Sequence, residues 1–268
     1  MTPMAPVSPA AWPARIVRHA AFRLGRLFKP LRPFAPATVS LSAALGHLAS
    51  AGFQPRSILD VGAHNGWWTT EARKHFPTPG ILMIEADPER ADTLDRLRAR
   101  LSGRVEVVVS VLGAAVQSAV TFLRDSGSGE GSSMLRERTA FPMHAVQLPM
   151  STLDHVVSAA HFDGPYLLKI DVQGYELEVL KGAAATLAHT DVLILEVALL
   201  EYNEGAPLVA QVVAELDARG FVVYDVAGLH RRQTDGAMFQ LDLVFVRREH
   251  PLRRATAFWD DEATVNRP

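Results

Sequence analysis

A strand–turn–helix pattern at residues 57–66 carries the clearest chemical signal in the sequence. The largely apolar residues Ser57–Val61 lead into a turn that continues through Gly62 to Gly66. A dinucleotide site would have a Gly-x-Gly-x-x-Gly pattern, but Asp60 and Asn65 occupy two of its three glycine positions. An acid at position 60 repels a pyrophosphate and attracts a cation. The turn therefore favours S-adenosylmethionine, which carries an ammonium and a sulfonium group but no phosphate.

The residues of this turn are predicted cofactor contacts. Asp60 would pair with the ammonium group, and Gly62 would let the ligand approach the backbone closely. Gly66 would let the following helix start tightly against the strand. Ala63 and His64 lie between the glycines, and His64 is also placed to reach a substrate. The alternative is an ordinary turn whose glycines serve only the chain.

A second predicted strand ends in an acid that suits a ribose. Glu85 lies 19 residues after Gly66, close to the interval at which such an acid accepts hydrogen bonds from ribose hydroxyls. Ala86 follows it and is a further predicted contact. By analogy with other folds of this kind, the adenine would lie beside the end of the third predicted strand, at Ser110 and Val111.

Two more acids end predicted strands and are candidates for catalysis. Asp171 and Glu196 would converge on one crevice, where they could divide the roles of base and orienting group or jointly hold a divalent cation. Asp171 would also face the reactive end of the cofactor. His64 is a third catalytic candidate. The alternatives are a structural ion pair between Asp171 and Lys169 and a purely local role for Glu196.

Alternating strands and helices must position these residues. The predicted strands are Ser57–Val61, Gly80–Glu85, Val105–Val111, Tyr166–Val172, Val192–Val197, Phe221–Val226 and Leu241–Arg247. The predicted helices are Thr69–Phe76, Pro88–Leu101, Tyr175–Leu187 and Pro207–Arg219. This order predicts an α/β fold with a doubly wound, mostly parallel seven-stranded sheet of the Rossmann-like type. Residues 125–147 interrupt the alternation as a predicted irregular loop, in which 126–133 would be mobile and would order over a bound acceptor.

Composition excludes several classes of protein. The chain has 268 residues, 48% of them hydrophobic, and no cysteine, which excludes a disulfide scaffold and thiol chemistry. With 27 basic against 29 acidic residues, bulk charge does not indicate a nucleic-acid partner. No run approaches the roughly 20 apolar residues of a membrane span, and the N-terminus lacks the pattern of a secretory signal. The sequence thus predicts a cytoplasmic protein.

The first 34 residues differ from the rest and are predicted to form an extension before a domain at 35–268. They hold six basic residues and no acid, and residues 14–31 show the spacing of an amphipathic helix. One interpretation is peripheral contact with an anionic inner membrane surface. The other, which we favour, is a helix that docks on its own domain or on a partner subunit.

Six motifs, in chain order, resemble the FkbM family of S-adenosylmethionine-dependent methyltransferases. They are ILDVGAHNGWWT, IEADPER, STLD, LLKIDVQGYELEVLKGA, ILEV and QLDLVFVR, and the resemblance runs from about Ser57 to Arg247. It implies a class I methyltransferase fold and O-methylation of a hydroxyl on a sugar, glycolipid or polyketide-type acceptor. Family members often have glutamate where Gln173 stands, which weakens a catalytic role there. The alternative is an inactive cofactor-binding or scaffolding protein on the same fold.

Removing residues 1–34 separates the two interpretations of the basic extension. If it binds membranes, the truncated protein should keep its thermal stability and lose sedimentation with anionic vesicles, because each nearby basic residue contributes about 1 kcal/mol of attraction. If it docks on the domain, truncation should lower the melting temperature, and the full-length protein should not bind the vesicles.

Overall fold

The computed structural model describes residues 39–127, 131–138 and 142–254. The strands are β1 (Ser57–Val61), β2 (Gly80–Glu85), β3 (Val105–Val109), β4 (Val111–Leu112), β5 (Gln117–Asp125), β6 (Met143–Ser151), β7 (Tyr166–Ile170), β8 (Thr190–Ala198), β9 (Phe221–Arg231) and β10 (Met238–Arg247). The helices are α1 (Leu41–Ser50), α2 (Trp67–His75), α3 (Ala91–Arg98), α4 (Leu153–Ala159), α5 (Glu176–Lys181), α6 (Ala184–Ala188) and α7 (Val209–Ala218). Short 3-10 helices cover Pro88–Arg90 and Pro251–Arg253. The helix predicted at 14–31 lies outside the described residues.

Seven strands form the main sheet, in the order β3-β2-β1-β7-β8-β10-β9. The first five are parallel to one another, whereas β10 runs antiparallel to both β8 and β9. This confirms the predicted mostly parallel, doubly wound sheet. Since chain order reverses between β1 and β7, the carboxyl ends of these two strands form the switch point at which such sheets bind ligands.

Helices cover both faces of the sheet, which explains why the central strands are continuous apolar runs. Neighbouring residues of β1 point to opposite faces: Ile58 packs with Leu45 of α1, and Leu59 packs in the cluster that contains Leu216 of α7. Every residue of β1 and β7 is buried. The apolar cores on the two faces therefore hold the strand ends in fixed positions.

Most predicted boundaries differ from the structure by a few residues, and three of the differences bear on the site. The strand predicted at Val105–Val111 ends at Val109, because Val111 leaves the main sheet and pairs with Met150 in another sheet. The strand predicted to reach Val172 ends at Ile170. The helix predicted at Tyr175–Leu187 is two short helices that separate at Gly182, where a Cβ would lie 2.2 Å from the carbonyl oxygen of Gly113.

A second, three-stranded sheet of order β4-β6-β5 lies where the sequence predicted an irregular loop. β6 begins at Met143, inside the predicted loop, and pairs antiparallel with β5. Within the described residues, Met150 is the one buried residue of β6. Because β6 has no apolar run, its residues do not show the pattern from which a strand is predicted.

Residues 131–138 also have defined backbone contacts. Ser133 exchanges two backbone hydrogen bonds with Leu123 of β5 (2.8 and 2.9 Å) and is 1% exposed. At its other end the segment forms a bridge between Glu137 and Asn203, and the Arg138 N–H donates to the Tyr202 carbonyl (2.8 Å). The expectation of mobility is therefore wrong at Ser133, while residues 128–130 lie outside the described part of the chain.

The ends of β1 and β7 are so close that position 62 accepts only glycine. Gly62 has a φ of +75°, and a Cβ there would lie 1.8 Å from the carbonyl oxygen of Asp171. The Asp171 N–H also donates to the carbonyl of Val61 (3.1 Å). A side chain at position 62 would thus push the two strand ends apart.

Alanine substitutions at two glycines should separate backbone strain from this clash. Gly52→Ala is the control, because Gly52 also has a positive φ (+88°) but a Cβ there would meet nothing within 4 Å. We expect it to lower the free energy of unfolding by about 1 kcal/mol. Gly62→Ala should lower it by at least about 3 kcal/mol, because backbone atoms must move. Equal losses in urea unfolding would contradict the proposed close contact.

Candidate functional site

A cavity of about 640 Å³ opens at the carboxyl ends of β1, β2, β7 and β8. Its size is that of a small-molecule site. Eight of the residues predicted from the sequence line it: Gly62, Ala63, His64, Glu85, Ala86, Val111, Asp171 and Glu196. The other three predicted residues, Asp60, Gly66 and Ser110, lie outside this lining.

Asp60 lies beneath the cavity and is fully buried. Its Oδ2 accepts a hydrogen bond from the Thr69 hydroxyl (2.6 Å), and its Oδ1 lies 3.3 Å from Nζ of Lys169. The cation beside Asp60 thus belongs to the protein, and the direct pair of Asp60 with the cofactor ammonium stays a prediction. The sequence motif located the acid but did not indicate Lys169 as its partner.

Lys169 is the centre of a buried ion cluster. Its ammonium group is 3.3 Å from Asp60 and 3.5 Å from Asp171, and it donates to the carbonyl of Gly62 (2.7 Å). Burial alone would lower the pKa of Lys169, but Asp171 and Asp60 raise it above its ordinary value. Lys169 is therefore a permanent cation that joins β1, β7 and the turn. The ion pair that the sequence offered as an alternative role for Asp171 is thus present, although Asp171 also faces the cavity.

Both glycines of the turn and Ser110 serve contacts within the chain. Gly62 is required by the Asp171 carbonyl, as described above. Gly66 has a φ of +77°, and a Cβ there would lie 2.1 Å from Cδ2 of Leu97 in α3. The Ser110 hydroxyl donates to the Val111 carbonyl (3.0 Å). Gly62 therefore fits the chain rather than a ligand, although it lines the cavity.

Glu85 has a fixed carboxylate at the end of β2. One oxygen accepts the His64 N–H (2.7 Å), and the other accepts the Asp87 N–H (2.8 Å). Arg124 of β5 pairs with Asp87 (2.6 Å) and so fixes the same loop from the second sheet. Each Glu85 oxygen keeps a lone pair for a further donor, as two neighbouring hydroxyls would require.

Asp171 and Glu196 are joined by a side chain that sequence reasoning did not select. The amide Nε2 of Gln173 donates to Oδ1 of Asp171 and to Oε1 of Glu196, both at 2.9 Å. The Gln173 Oε1 accepts the Tyr202 hydroxyl (3.1 Å), and Nε2 of Gln240 donates to the Glu196 carboxylate. The two predicted acids therefore do converge on one site.

Burial and neighbouring acids change the titration of this region. Burial and the nearby carboxylates of Asp171 and Asp242 raise the pKa of Glu196 well above its ordinary value. Burial and the Glu196 carboxylate likewise raise the pKa of the Tyr202 hydroxyl. Glu196 thus holds a proton more readily than an exposed glutamate.

A third group of side chains lies at the far side of the cavity. They are Glu196, His230 and Asp242, which come from three adjacent strands. A ring nitrogen of His230 and one carboxylate oxygen of each acid lie within 4.8 Å of one another. The hydrogen bond between Nε2 of His230 and Oδ2 of Asp242 (3.1 Å) raises the pKa of the imidazole. Asp242 could have been found from the sequence as an acid within an otherwise apolar strand.

His64 and Trp67 line the part of the cavity that lies next to the 62–65 turn. His64 has a φ of +49°, which directs its backbone N–H to Glu85, and its Nε2 is buried. Trp67, at the start of α2, lines the cavity while 62% of its surface stays exposed. The nearby side chains of Arg231 and Arg232 contact the β9–β10 turn, where they donate to the Gly236 carbonyl and to the Asp235 carboxylate.

Glu176 fixes the turn that follows β7. It is 3% exposed, and its Oε1 accepts the N–H groups of Val172 and Gly174, both at 3.1 Å. Burial raises the pKa of Glu176 to about 7, although these N–H groups oppose the shift. Glu176 therefore holds the turn that carries Gln173 in a fixed conformation.

The chain is similar to methyltransferases. The family model for the methyltransferase FkbM domain matches residues 60–223. No curated protein matches the chain.

Several solved methyltransferase structures are similar to the chain at low identity. Methyltransferase FkbM from Methylobacillus flagellatus KT is 18% identical with a TM-score of 0.46, over 70% of this chain and 43% of that chain. This chain thus spans less than half the length of that protein. Precorrin-6y C5,15-methyltransferase from Geobacter metallireducens GS-15 is 14% identical with a TM-score of 0.42, over 77% and 87% of the two chains. TrmK from M. capricolum, solved with its cofactor product S-adenosyl-homocysteine, is 8% identical with a TM-score of 0.44, over 76% and 67%.

Glu176→Gln should change how stability depends on pH. The folded protein binds the Glu176 proton up to about pH 7, whereas the unfolded chain releases it near the ordinary pKa of about 4.3. The stability from this proton is therefore present at low pH and lost as pH rises through 7. Glutamine keeps an oxygen that accepts the two N–H groups. The variant therefore differs from wild type in having no carboxyl group that titrates at position 176.

Urea unfolding between about pH 5 and about pH 8 measures this difference. Wild type should lose about 2–3 kcal/mol more than Glu176→Gln over this interval. Glu178→Gln, at an ion pair with Lys181 on the same helix, should follow wild type. Parallel curves for wild type and Glu176→Gln would contradict the assignment.

Proposed function

Because the chain belongs to the FkbM methyltransferase family, we propose that it transfers the methyl group of S-adenosylmethionine to an acceptor hydroxyl. The acceptor would be a sugar, a glycolipid or a polyketide-type molecule. The observation that carries the proposal is the placement of two different acids, Glu85 and Asp171, on either side of the 62–65 turn in one cavity.

The Glu85 side of the cavity suits a nucleoside. The carboxylate of Glu85 is fixed by the N–H groups of His64 and Asp87, so it is oriented before a ribose diol binds. Ala86 and the buried Val111 supply apolar lining next to it, as an adenine ring requires. These residues therefore fit the adenosine part of the cofactor.

The opposite side suits an acceptor with several hydroxyl groups. Its lining includes the acids Asp171 and Glu196 and the neutral polar side chains of Gln173, Tyr202 and Gln240, which together accept and donate hydrogen bonds. A sugar ring presents many such hydroxyls. The exposed face of Trp67 also supports a sugar, because an aromatic surface packs against the apolar face of a ring.

The chain's contribution to the reaction would be alignment and proton removal. S-Adenosylmethionine supplies an electrophilic methyl group on a sulfonium when bound. The chain would hold the acceptor hydroxyl in line with that methyl group, and the Asp171 carboxylate would take up the hydroxyl proton. Asp171 is our first choice for the base because its side chain is 32% exposed to the cavity. Glu196, already hydrogen-bonded to Gln173 and Gln240, is second, and His64 is third.

A divalent cation shared by Asp171 and Glu196 would have to displace a side chain of the protein. The Gln173 amide lies between the two acids, with Nε2 2.9 Å from an oxygen of each. Cation binding between them would therefore require Gln173 to turn away.

The proposed partner is a small molecule, and the proposed location is the cytoplasm. None of the helices within the described residues has the length and apolar character to span a membrane. The acids of the acceptor side do not attract a nucleic acid. Membrane contact through residues 14–31 stays a proposal that a glycolipid acceptor would favour.

Calorimetry with S-adenosylhomocysteine tests the cofactor half of the proposal. Glu85→Gln should weaken binding at least about tenfold, because a carboxamide oxygen accepts ribose hydroxyls less strongly than a charged carboxylate. The control is Glu106→Gln on β3, where the acid pairs with Arg104 (2.7 Å) in solvent. Equal affinities for the two variants, or no binding by wild type, would contradict it.

Transfer of a labelled methyl group tests the acceptor half. Asp171→Asn should bind S-adenosylhomocysteine within about threefold of wild type and lose at least about 100-fold in transfer to a glycan and glycolipid extract. Asp95→Asn, at an exposed ion pair with Arg98, is the control. Cofactor binding by wild type without transfer to any extract would favour an inactive binding protein.

A further inference from the structure

Gln173 has a backbone conformation that side-chain-bearing residues rarely adopt. Its φ is +55°, and two separate segments of the chain hold its carbonyl group in place. The carbonyl oxygen accepts the Ser133 hydroxyl (2.8 Å) and the Asn203 amide (2.9 Å), and both of these residues are at most 1% exposed. A strained position that the surrounding structure determines so fully is typical of a functional site.

The unusual backbone conformation continues at Gly174, so it belongs to the whole turn and not to Gln173 alone. Gly174 also has a positive φ (+94°), and a Cβ there would lie 2.8 Å from Cβ of Ala206. The N–H of Gly174 donates to the buried Glu176. The whole turn is therefore fixed, and its geometry directs the Gln173 side chain between the ends of β7 and β8.

Every hydrogen-bonding group of the Gln173 amide has a partner. Its Nε2 donates to Asp171 and to Glu196 (both 2.9 Å), and its Oε1 accepts the Tyr202 hydroxyl (3.1 Å). A carboxylate in its place would have no hydrogen to donate and would add a third negative charge. The amide thus allows two acids from adjacent strands to lie close together.

We propose that Gln173 is a positioning residue, whose amide holds the carboxylates of Asp171 and Glu196 in one arrangement in the cavity. With Oδ1 of Asp171 on Gln173 and Oδ2 facing Lys169 at 3.5 Å, the carboxylate plane is fixed from both sides. This inference rests on the proposed function, in which Asp171 removes the proton of the acceptor hydroxyl.

The titration of Glu196 reports this role directly, because an N–H donor stabilises the ionised carboxylate. Several other groups act on the same carboxyl and must stay unchanged in the test. They are Lys169 and Asp171 from β7 and its turn, Glu176 from α5, Tyr202 after β8, His230 from β9, and Gln240 and Asp242 from β10.

Carbon-13 NMR of labelled glutamate carboxyls, with the Glu196 signal assigned through Glu196→Gln, measures the effect in ligand-free protein. Gln173→Met keeps the size of the side chain and removes the donor, so the Glu196 midpoint should rise by at least about one pH unit. Gln173→Glu should raise it further by adding a charge. Gln147→Glu, the same change at an exposed residue that contacts Thr121, should leave it unchanged.

An unchanged Glu196 midpoint in both folded Gln173 variants would overturn the proposal, as would an equal shift in Gln147→Glu. If one variant does not fold, the other gives the same readout. Calorimetry with S-adenosylhomocysteine on the same samples should show affinities within about threefold of wild type, because Gln173 lies on the acceptor side. Absence of binding in every sample would count against the proposed function, while the titration would still decide the role of Gln173.

Discussion

The buried ammonium group of Lys169 is the interaction on which the arrangement of the site depends. It lies between two acids from adjacent strands, Asp60 and Asp171, and donates to the carbonyl of Gly62. Asp60 is fully buried, and a buried acid without a cation is costly by several kcal/mol. The cation therefore fixes the end of β7 against the turn after β1, at the switch point of the sheet.

The cavity that opens beside Lys169 has an excess of acidic side chains. Among the residues that the structure describes, six carboxyl groups line it against one ammonium group, and they belong to Glu85, Asp125, Glu137, Asp171, Glu196 and Asp242. This excess explains why neighbouring acids contribute to the raised pKa values of Glu137 and Glu196, beyond the larger effect of burial. A ligand with positive charge at the centre of the cavity would relieve the repulsion, which agrees with a sulfonium donor.

The parts of the fold that the sequence predicted are those whose signal is local. The bounds of β1 and β2 match the prediction to the residue, because each strand is a short, mostly apolar segment with an acid at or next to its end. β6 was missed because its residues are mostly solvent-facing, so burial left no pattern in them. The strand expected to run to Val111 was divided because Val111 pairs with a residue far along the chain, which no local pattern encodes.

Within the site, residue types were predictable and their partners were not. Glu85, Asp171 and Glu196 were identified as acids at strand ends and do line one cavity. Asp60 was also identified, but its cation is Lys169 because the side chain points beneath the turn. Gln173 and Gln240 were not selected, because a neutral amide signals nothing until the acids that it joins are known.

A double-mutant cycle on Lys169 and Asp60 tests the central claim most directly. Lys169→Met and Asp60→Asn should each lower the free energy of unfolding by about 3–5 kcal/mol, because each leaves the other charge buried without its main partner. Asparagine keeps an oxygen for the Thr69 hydroxyl, so the cycle isolates the ion pair. The double variant should lose at least about 2 kcal/mol less than the sum of the single losses. Losses that add to within about 0.5 kcal/mol would show that Lys169 does not hold the two strand ends through this acid.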